Sequence, residues 1–256
     1  MSEVMFDLTG KVALITGGNS GIGLGMANAL AAAGADICIW GRHEDKNHAA
    51  EEKLRTHGHR VLALTCDVSD ERCVEECFAK TVEVLGRVDS CFANAGVGQL
   101  GTPFHKMSTA EWREIFGINM EGAFFTFRSA INYMMEQQIK GALVATSSLA
   151  SKSGQPRGEH YAATKAGLMA MVRSIAVEYA RYGIRANCII PGWIETGMTA
   201  GILGLEIIQN SVLKRIPLRR WGVPADFGAI AVYFASDASA YHTRDTVTID
   251  GGYIRF

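Results

Sequence analysis

The sequence predicts an α/β fold in which a single doubly wound parallel sheet carries helices on both faces. Short β-branched segments alternate with longer amphipathic segments along the 256 residues, as in repeated β-α-β units. Most strand candidates are continuously apolar rather than alternating, as expected for parallel strands buried on both faces. No linker, internal repeat or change in composition marks a second domain, so we expect one domain over residues 1–256.

The strand and helix candidates follow one another in an order that implies right-handed crossovers. The predicted strands are Val12–Thr16, Asp36–Trp40, Val61–Thr65, Val88–Ala93, Ala142–Thr146, Arg185–Ile190 and Thr246–Ile249. The clearest helical patterns are Gly23–Ala33, Asp70–Leu85, Thr109–Gln137, Tyr161–Tyr182 and Pro224–Ala235.

Gly197–Arg215 is a long stretch outside this alternation. It contains apolar residues such as Met198, Ile202 and Ile207, and long segments in compact domains are often functional. We therefore predict that residues 197–215 form a lid over a substrate pocket.

Charge and composition exclude several classes of protein. The formal net charge of −1 gives no general attraction to nucleic acid or to an anionic membrane. No stretch offers the ~18 uninterrupted apolar residues of a membrane span. The first residues show no basic cluster followed by an apolar core, so no secretory signal is expected. These observations predict a cytoplasmic protein that binds neither nucleic acid nor membrane.

The six cysteines include no CxxC pair and are spread over predicted strands and helices. Cys73 and Cys77 raise the alternative of a metal or redox site, but we interpret all six as reduced, mostly buried thiols. His57-Gly58-His59 is predicted to be a turn between a helix and a strand. No metal site is predicted.

A glycine-rich segment, Thr16–Gly23, joins the first predicted strand to the first helical pattern. Its glycines allow a sharp turn and a close approach of the backbone to a phosphate group. The following helix would direct free N–H groups and the positive end of its dipole at that phosphate. This arrangement predicts a nucleotide site in a Rossmann-type fold, although the spacing Gly-x3-Gly-x-Gly differs from the more common GxGxxG.

Three residues predict acid/base chemistry at the carboxyl edge of the sheet. Tyr161 and Lys165 lie four residues apart, on one face of a helix, and an ammonium beside a phenol lowers the pKa of the phenol. Such a tyrosine can exchange a proton with a substrate oxygen. Ser148 follows the fifth strand, at the edge where ligands bind in open α/β sheets. Its hydroxyl can hydrogen-bond a carbonyl or alkoxide oxygen.

With these motifs the sequence resembles the short-chain dehydrogenase/reductase family over nearly its whole length. The glycine loop matches the family's TGxxxGxG, and Ser148, Tyr161 and Lys165 match its catalytic serine and YxxxK. Further matches are Asp67-Val68, Asn94-Ala95-Gly96, Asn119, Arg185-Ala186-Asn187, Pro191–Thr196, Arg220–Asp226 and Asp250-Gly251-Gly252. Each motif is modest alone, but their joint occurrence in this order is very specific.

The resemblance implies an oxidoreductase that transfers a hydride between NADP(H) or NAD(H) and a secondary alcohol or ketone. It implies that Tyr161 is the general acid/base and that Ser148 orients the substrate oxygen. Lys165 would lower the pKa of Tyr161 and bind the nicotinamide ribose, and Asn119 would hold a water in a proton relay to Lys165. Asp67 and Val68 would lie beside the adenine ring.

The cofactor contacts predicted from the loop and the resemblance come from all parts of the chain. They are Gly17, Asn19, Ser20, Gly21, Ile22, Gly23, Arg42, Asp67, Val68, Asn94, Ala95, Gly96, Tyr161, Lys165, Pro191, Gly192, Ile194 and Thr196. The resemblance also implies that Arg185–Asn187 and Pro191–Thr196 flank the nicotinamide.

Arg42 favours NADP(H) over NAD(H) as the cofactor. An acidic residue at the end of the second strand would accept hydrogen bonds from the ribose and repel a 2′-phosphate. That turn holds no acid, and Arg42 stands where a guanidinium could bind the phosphate. Ser20 in the glycine loop and the nearby Glu44 and Asp45 argue in the other direction, so NAD(H) stays the alternative.

Three rival functions are compatible with a dinucleotide fold. An enoyl-thioester reductase of this family carries a wider gap between tyrosine and lysine, and an extended-branch epimerase or dehydratase has a differently spaced glycine loop. A catalytically silent dinucleotide-binding regulator would have lost Tyr161, Lys165 or Ser148, and all three are present.

The partners expected are a small alcohol or carbonyl substrate and further copies of the same chain. Residues proposed to line the substrate pocket, together with the lid, are Gln99, Leu100, Leu149, Gln155, His160 and Trp193. His160 is expected to take a wall or surface position rather than a chemical role. The family resemblance, the long helical patterns and the apolar end Tyr253–Phe256 predict a homotetramer.

Overall fold

A computed structural model describes residues 5–98 and 101–255 and shows one sheet of seven parallel strands. The strands are β1 Val12–Thr16, β2 Asp36–Gly41, β3 Val61–Thr65, β4 Ser90–Ala93, β5 Ala142–Thr146, β6 Arg185–Pro191 and β7 Thr246–Ile249. Their spatial order is β3-β2-β1-β4-β5-β6-β7. The order reverses between β1 and β4, and the crevice at such a reversal is where open α/β sheets bind ligands.

Helices cover both faces of the sheet. They are α1 Gly21–Ala32, α2 Glu44–Arg55, α3 Glu71–Leu85, α4 Thr109–Phe116, α5 Gly122–Glu136, α6 Ala150–Ser153, α7 Glu159–Tyr179, α8 Ala200–Leu203, α9 Glu206–Ser211 and α10 Gly228–Ala235. The predicted fold class is therefore confirmed. Among the described residues, no helix is both long and apolar enough to cross a membrane.

The two layers of the core follow from the alternation of side chains along the buried strands. Trp40 points into the cluster under α3, α5 and α7, and its neighbour Ile39 points into the cluster under α1, α2 and α10. Both side chains are fully buried. The apolar runs in the sequence are thus a direct consequence of helices on both faces.

The strand predictions hold to within a few residues, and the main differences concern helices. β4 begins at Ser90 rather than Val88. The short helix α6 and the helix α2 were not among the predicted patterns. α2 is mostly charged and buries only Asn47, Ala50 and Leu54, so its sequence carries little hydrophobic periodicity.

The predicted continuous helix Thr109–Gln137 is interrupted by a π-helical segment, Gly117–Glu121. A π-helical turn adds a residue to the helix and changes the direction of the side chains within it, and such turns are frequent at functional sites. Asn119 lies in the middle of this segment and is fully buried.

Candidate active site

Lys165 reaches the carboxyl end of β5 from inside α7. Its side chain is 4% exposed, and Nζ donates a hydrogen bond to the Thr146 carbonyl oxygen at 2.9 Å. The Ser147 hydroxyl donates to the Lys165 carbonyl oxygen at 2.7 Å, which fastens this turn of α7 to the end of β5. Burial lowers the pKa of Lys165 to about 8, since removing a charge from water disfavours the ammonium.

Tyr161 lies one helical turn before Lys165, and the ammonium Nζ is 5.7 Å from the centre of the tyrosine ring. Burial raises the pKa of Tyr161, and a hydrogen bond with the Ser148 hydroxyl acts in the opposite direction. Burial therefore sets the direction of the Tyr161 pKa in the chain without cofactor, while Lys165 Nζ is held by the Thr146 carbonyl. A neutral phenol beside a serine hydroxyl is a proton donor.

Asn119 secures the loop that follows β4. Its Oδ1 accepts a hydrogen bond from the Val97 N–H at 2.8 Å, and its Nδ2 donates to the Val97 carbonyl at 2.9 Å. A Cβ placed on Gly96 would lie 3.1 Å from both Asn119 Oδ1 and Lys165 Nζ. The loop after β4 therefore passes directly between these two polar groups, and the predicted set of four residues converges at one place.

Gly98 belongs to the same loop but was missed from the sequence. A Cβ on Gly98 would lie 3.0 Å from Cε2 of Tyr161, so the backbone runs against the tyrosine ring. A lone glycine in a loop gives no sequence signal for this contact.

The glycine loop has the geometry of an anion site. A Cβ on Gly23 would lie 2.3 Å from the Gly17 carbonyl oxygen, so only glycine allows this turn. Ser20 caps α1 without a side-chain hydrogen bond to the first turn, which leaves those backbone N–H groups to a ligand. This donor set fits the pyrophosphate of a dinucleotide.

Thr16 and Asn94 bracket the base of this loop. The Thr16 hydroxyl accepts hydrogen bonds from the N–H groups of Asn94 and Ala95 at 3.0 and 2.9 Å. Asn94 Nδ2 donates to the Thr16 carbonyl at 3.1 Å, and its Oδ1 accepts from the Thr146 hydroxyl at 3.1 Å. The Asn94 side chain thus ties β1, β4 and β5 together, while Thr16 was not proposed as a site residue.

Asn47 is a second residue that the sequence did not reveal. Asn19 in the glycine loop donates to Asn47 Oδ1 at 2.7 Å, and Asn47 Nδ2 donates to the carbonyls of Gly41 and Leu64 at 2.9 and 3.1 Å. Asn47 thereby joins the glycine loop to the ends of β2 and β3. It lies on α2, which the sequence did not predict, so no motif pointed to it.

Arg42 follows β2 and is exposed. Burial acts to raise the pKa of Asp67, but two hydrogen bonds from Ser69 and the charge of Arg42 together lower it. The guanidinium therefore lies close enough to act on the carboxylate at the end of β3. Val68 is buried against α5, where a Cβ on Gly122 would lie 2.8 Å from Val68 Cγ2.

The segment after β6 reaches the glycine loop. Thr196 Cγ2 would lie 3.3 Å from a Cβ on Gly21, and Ile194 is buried and pairs with Gly222. Gly192 packs against Asp250 and would place a Cβ 2.6 Å from its Cα. The segment Pro191–Thr196 therefore lies at the carboxyl edge of the sheet, the edge at which Tyr161 also lies.

The sequence and the structure of this chain are both similar to those of known oxidoreductases. A family model described as Enoyl-(Acyl carrier protein) reductase matches residues 17–254. The 3-oxoacyl-[acyl-carrier-protein] reductase FabG of Chlamydia pneumoniae is 36% identical over 245 residues, 96% of this chain and 97% of that protein. The crystal structure of a short-chain type dehydrogenase/reductase from Mycobacterium marinum has a TM-score of 0.92 at 32% identity and covers 97% of both chains. The chain belongs to the short-chain dehydrogenase/reductase family.

A third relative, a gluconate 5-dehydrogenase from Burkholderia cenocepacia, was solved in complex with NADP and tartrate. Its TM-score is 0.92 at 29% identity, and the match covers 98% of both chains. This short-chain dehydrogenase/reductase is accordingly an NAD(P)-dependent oxidoreductase acting on alcohol and carbonyl groups. The relatives are enzymes and give no evidence for a silent regulator.

One part of the family resemblance does not lie at the active site. Arg185–Asn187 begins β6, at the edge of the sheet opposite to Tyr161. Arg185 Nη2 donates to the Phe234 carbonyl at 2.8 Å, and Asn187 Nδ2 donates to the His242 carbonyl at 3.0 Å. In this short-chain dehydrogenase/reductase the motif therefore joins the start of β6 to α10 and to the loop before β7, at the edge of the sheet away from Tyr161.

The pocket candidates have different positions. Leu149 and His160 are buried, which excludes the surface alternative for His160 and leaves the wall position, while Gln155 is partly buried. Trp193 packs against Trp221 and Tyr253 with ring centres 6.5 Å apart in each pair. Gln99 and Leu100 lie outside the described residues.

Proposed function

We propose that this oxidoreductase interconverts a secondary alcohol and a ketone with Tyr161 as its general acid/base. The observation that carries the proposal is the placement of Tyr161 next to the buried Lys165 at the carboxyl end of β5, the strand that Ser148 follows, with Lys165 Nζ 5.7 Å from the centre of the tyrosine ring. A phenol whose pKa is raised by burial is protonated at neutral pH, as the acid for carbonyl reduction must be.

The reduced nicotinamide, when bound, supplies the hydride that adds to the carbonyl carbon. Ser148 donates a hydrogen bond to the carbonyl oxygen, where negative charge develops. Tyr161 transfers its phenolic proton to that oxygen, which yields the alcohol and a phenolate. In the oxidation direction, the phenolate takes the proton from the alcohol.

Lys165 and Asn119 support this proton transfer. The Lys165 ammonium stabilises the transient phenolate, since a charge 5.7 Å from the ring centre acts strongly where water is excluded. Asn119 holds the loop after β4 through Val97 and, with Lys165, would bind the water that returns the proton. The glycine loop and α1 bind the pyrophosphate, and Tyr161 with Lys165 would bind the ribose next to the nicotinamide.

The proposed reaction is tested by a screen that follows the absorbance of reduced nicotinamide. The panel contains 3-oxoacyl thioesters and keto acids derived from sugars, because two relatives carry such names. It also contains enoyl thioesters, the substrates of the rival reductase. We expect turnover of ketones and of the matching secondary alcohols, and turnover of enoyl thioesters alone would refute the proposal.

We further propose that the enzyme prefers NADP(H) and that Arg42 binds the 2′-phosphate. The turn after β2 holds no carboxylate, since Glu44 and Asp45 lie in the first turn of α2, where the helix dipole favours acids. The exposed Arg42 side chain is free to meet a phosphate beside Asp67. The gluconate 5-dehydrogenase with bound NADP supports this preference by analogy.

Arg42→Ala is expected to weaken NADPH binding by roughly 10- to 150-fold, because charged hydrogen bonds to a phosphate contribute ~1.5–3 kcal/mol. NADH affinity should stay nearly unchanged, since NADH lacks that phosphate. Both affinities are measured by fluorescence titration, with Arg55→Ala at the far end of α2 as the control. Equal losses for both cofactors, or a wild type that binds NADH more tightly, would show that Arg42 does not select the phosphate.

The segment 197–215 is proposed to close over the substrate. Leu203 and Val212 anchor it in the protein, while Ile207 is 73% exposed and free to contact a ligand. A Cβ on Gly201 or Gly204 would meet no atom within 4 Å, so packing does not require these glycines. Their place in the segment fits a need for backbone freedom.

Hydrogen exchange in peptides from 197–215 is expected to slow when NADP(H) and substrate are added together, because closure protects backbone amides. A peptide around Arg87, at the opposite edge of the sheet, is the reference. Unchanged exchange in the segment, with slower exchange in the glycine loop, would contradict a closing lid.

We propose a homotetramer in which α5 and α7 contribute apolar contacts. Phe124 on α5 and Val177 on α7 are exposed on the same side of the sheet, and Val177 is 68% exposed. Light scattering is expected to give about four times the 27.7 kDa mass of one chain. Val177→Asp should lower this mass, and Val84→Asp on α3 should not. A wild-type mass near one chain would refute the tetramer.

A further inference from the structure

Three cysteines that are separate in the sequence meet at one end of the sheet. Cys66 directly follows β3, and Cys73 and Cys77 lie one turn apart on α3. Their three sulfur atoms all lie within 4.8 Å of one another. The chemistry described for the active site uses none of them.

The spacing of these sulfurs suits a single metal ion. A Zn–S bond is ~2.3 Å long, which places sulfurs that share one ion on the order of 4 Å apart. Thiolate sulfur selects soft cations such as Zn²⁺ and Cu⁺ rather than Mg²⁺ or Ca²⁺.

The surroundings give the ion a path of entry and an open coordination position. Cys66 is 2% exposed, whereas Cys73 and Cys77 are partly exposed to solvent. Cys77 Sγ contacts the Thr65 carbonyl oxygen at 3.6 Å, so two of the ligands lie close to the end of β3. Three protein ligands with a fourth position open to water is a common arrangement for Zn²⁺.

We propose that Cys66, Cys73 and Cys77 form a binding site for one thiophilic cation of the Zn²⁺ class. Three S–H bonds are replaced by three metal–sulfur bonds, the protons pass to solvent, and no electron is transferred. The ion would join α3 to the end of β3. The Cys66 N–H donates to the Gly41 carbonyl at 3.2 Å, so the site adjoins the turn that carries Arg42.

The test uses the full-length protein, treated with chelator and kept reduced, and titrated with Cd²⁺ as a spectroscopic probe and then with Zn²⁺. We expect a cadmium–thiolate charge-transfer band that saturates at one ion per chain and is removed by Zn²⁺. Zn²⁺ at a hundredfold excess over its Kd should raise the Tm by roughly 5–10 °C. These measurements need neither cofactor nor substrate, so they fail or succeed independently of the proposed function.

Cys73→Ser and Cys77→Ser should each weaken Cd²⁺ binding at least tenfold and abolish the Tm shift. Cys91→Ala, which removes a buried thiol outside the cluster, should behave like the wild type. Two further measurements keep the result interpretable: circular dichroism confirms that each variant is folded, and a thiol count confirms reduction. Absence of Cd²⁺ uptake by the reduced wild type, or equal binding by all three variants, would overturn the proposal.

Discussion

Tyr161→Phe is expected to lower kcat by roughly 100- to 10,000-fold, the usual contribution of general acid/base catalysis. The substitution removes only the phenolic hydroxyl, and the ring keeps its packing against Gly98. Cofactor affinity should therefore stay within a few-fold of the wild type. Steady-state absorbance of reduced nicotinamide gives kcat, and fluorescence titration gives the Kd of the cofactor.

Tyr182→Phe is the matched control for this substitution. Tyr182 lies just beyond the end of α7, is half-exposed and packs near Tyr179 rather than at the active site. It loses the same single hydroxyl and should keep the wild-type kcat. Near-normal turnover by Tyr161→Phe would exclude the proposed acid/base, whatever the control shows.

Lys165→Ala is expected to lower kcat at least ~100-fold and also to raise the Kd of the cofactor. The ammonium is proposed both to stabilise the phenolate and to bind the ribose, so its loss affects the two parameters together. Single-turnover rates and binding titrations separate them. A change in only one parameter would show that the proposed double role is wrong.

The lowered pKa of Lys165 also predicts how the stability of the fold depends on pH. The pKa of Lys165 is about 8 in the folded chain, against an ordinary value of 10.5. Between these two pH values the unfolded chain binds more protons than the folded chain. The free energy of unfolding therefore rises with pH in this window. Relative to Lys165→Met, the wild type should gain roughly 3 kcal/mol of unfolding free energy across this window. Below pH 8 the difference should be constant. A constant difference over the whole range would show that Lys165 is not a buried, shifted amine.

The same pKa values predict the pH dependence of carbonyl reduction. Raising the pKa of Tyr161 keeps its acid form through neutral pH, while Lys165 loses its charge as the pH rises through about 8. A descending limb of kcat/KM near pH 8 that disappears in Lys165→Met would assign that limb to Lys165.

Local patterns in the sequence were sufficient for most of the strands and for bringing together the side chains that are proposed to be catalytic. The apolar runs of β1 and β5 were placed with the bounds that the structure shows, because burial on both faces leaves few polar residues within a strand. The partly exposed edge strands β3 and β7 also have the predicted bounds. Tyr161 and Lys165 are four residues apart, and helix geometry alone puts them on one face. Ser148 could be placed because strand ends share one edge of the sheet.

The tertiary structure decided the contacts between groups that are distant in the chain. Asn47 reaches the glycine loop from a helix without apolar periodicity, and Cys66 meets Cys73 and Cys77 only because β3 and α3 pack together. It also decided the environment of each charge, since burial raises the pKa of Tyr161 and lowers the pKa of Lys165 in the chain without cofactor. Residue types and spacing along a chain determine periodicity and motifs. Desolvation and long-range contacts depend on which segments pack together, and those appear only in the folded protein.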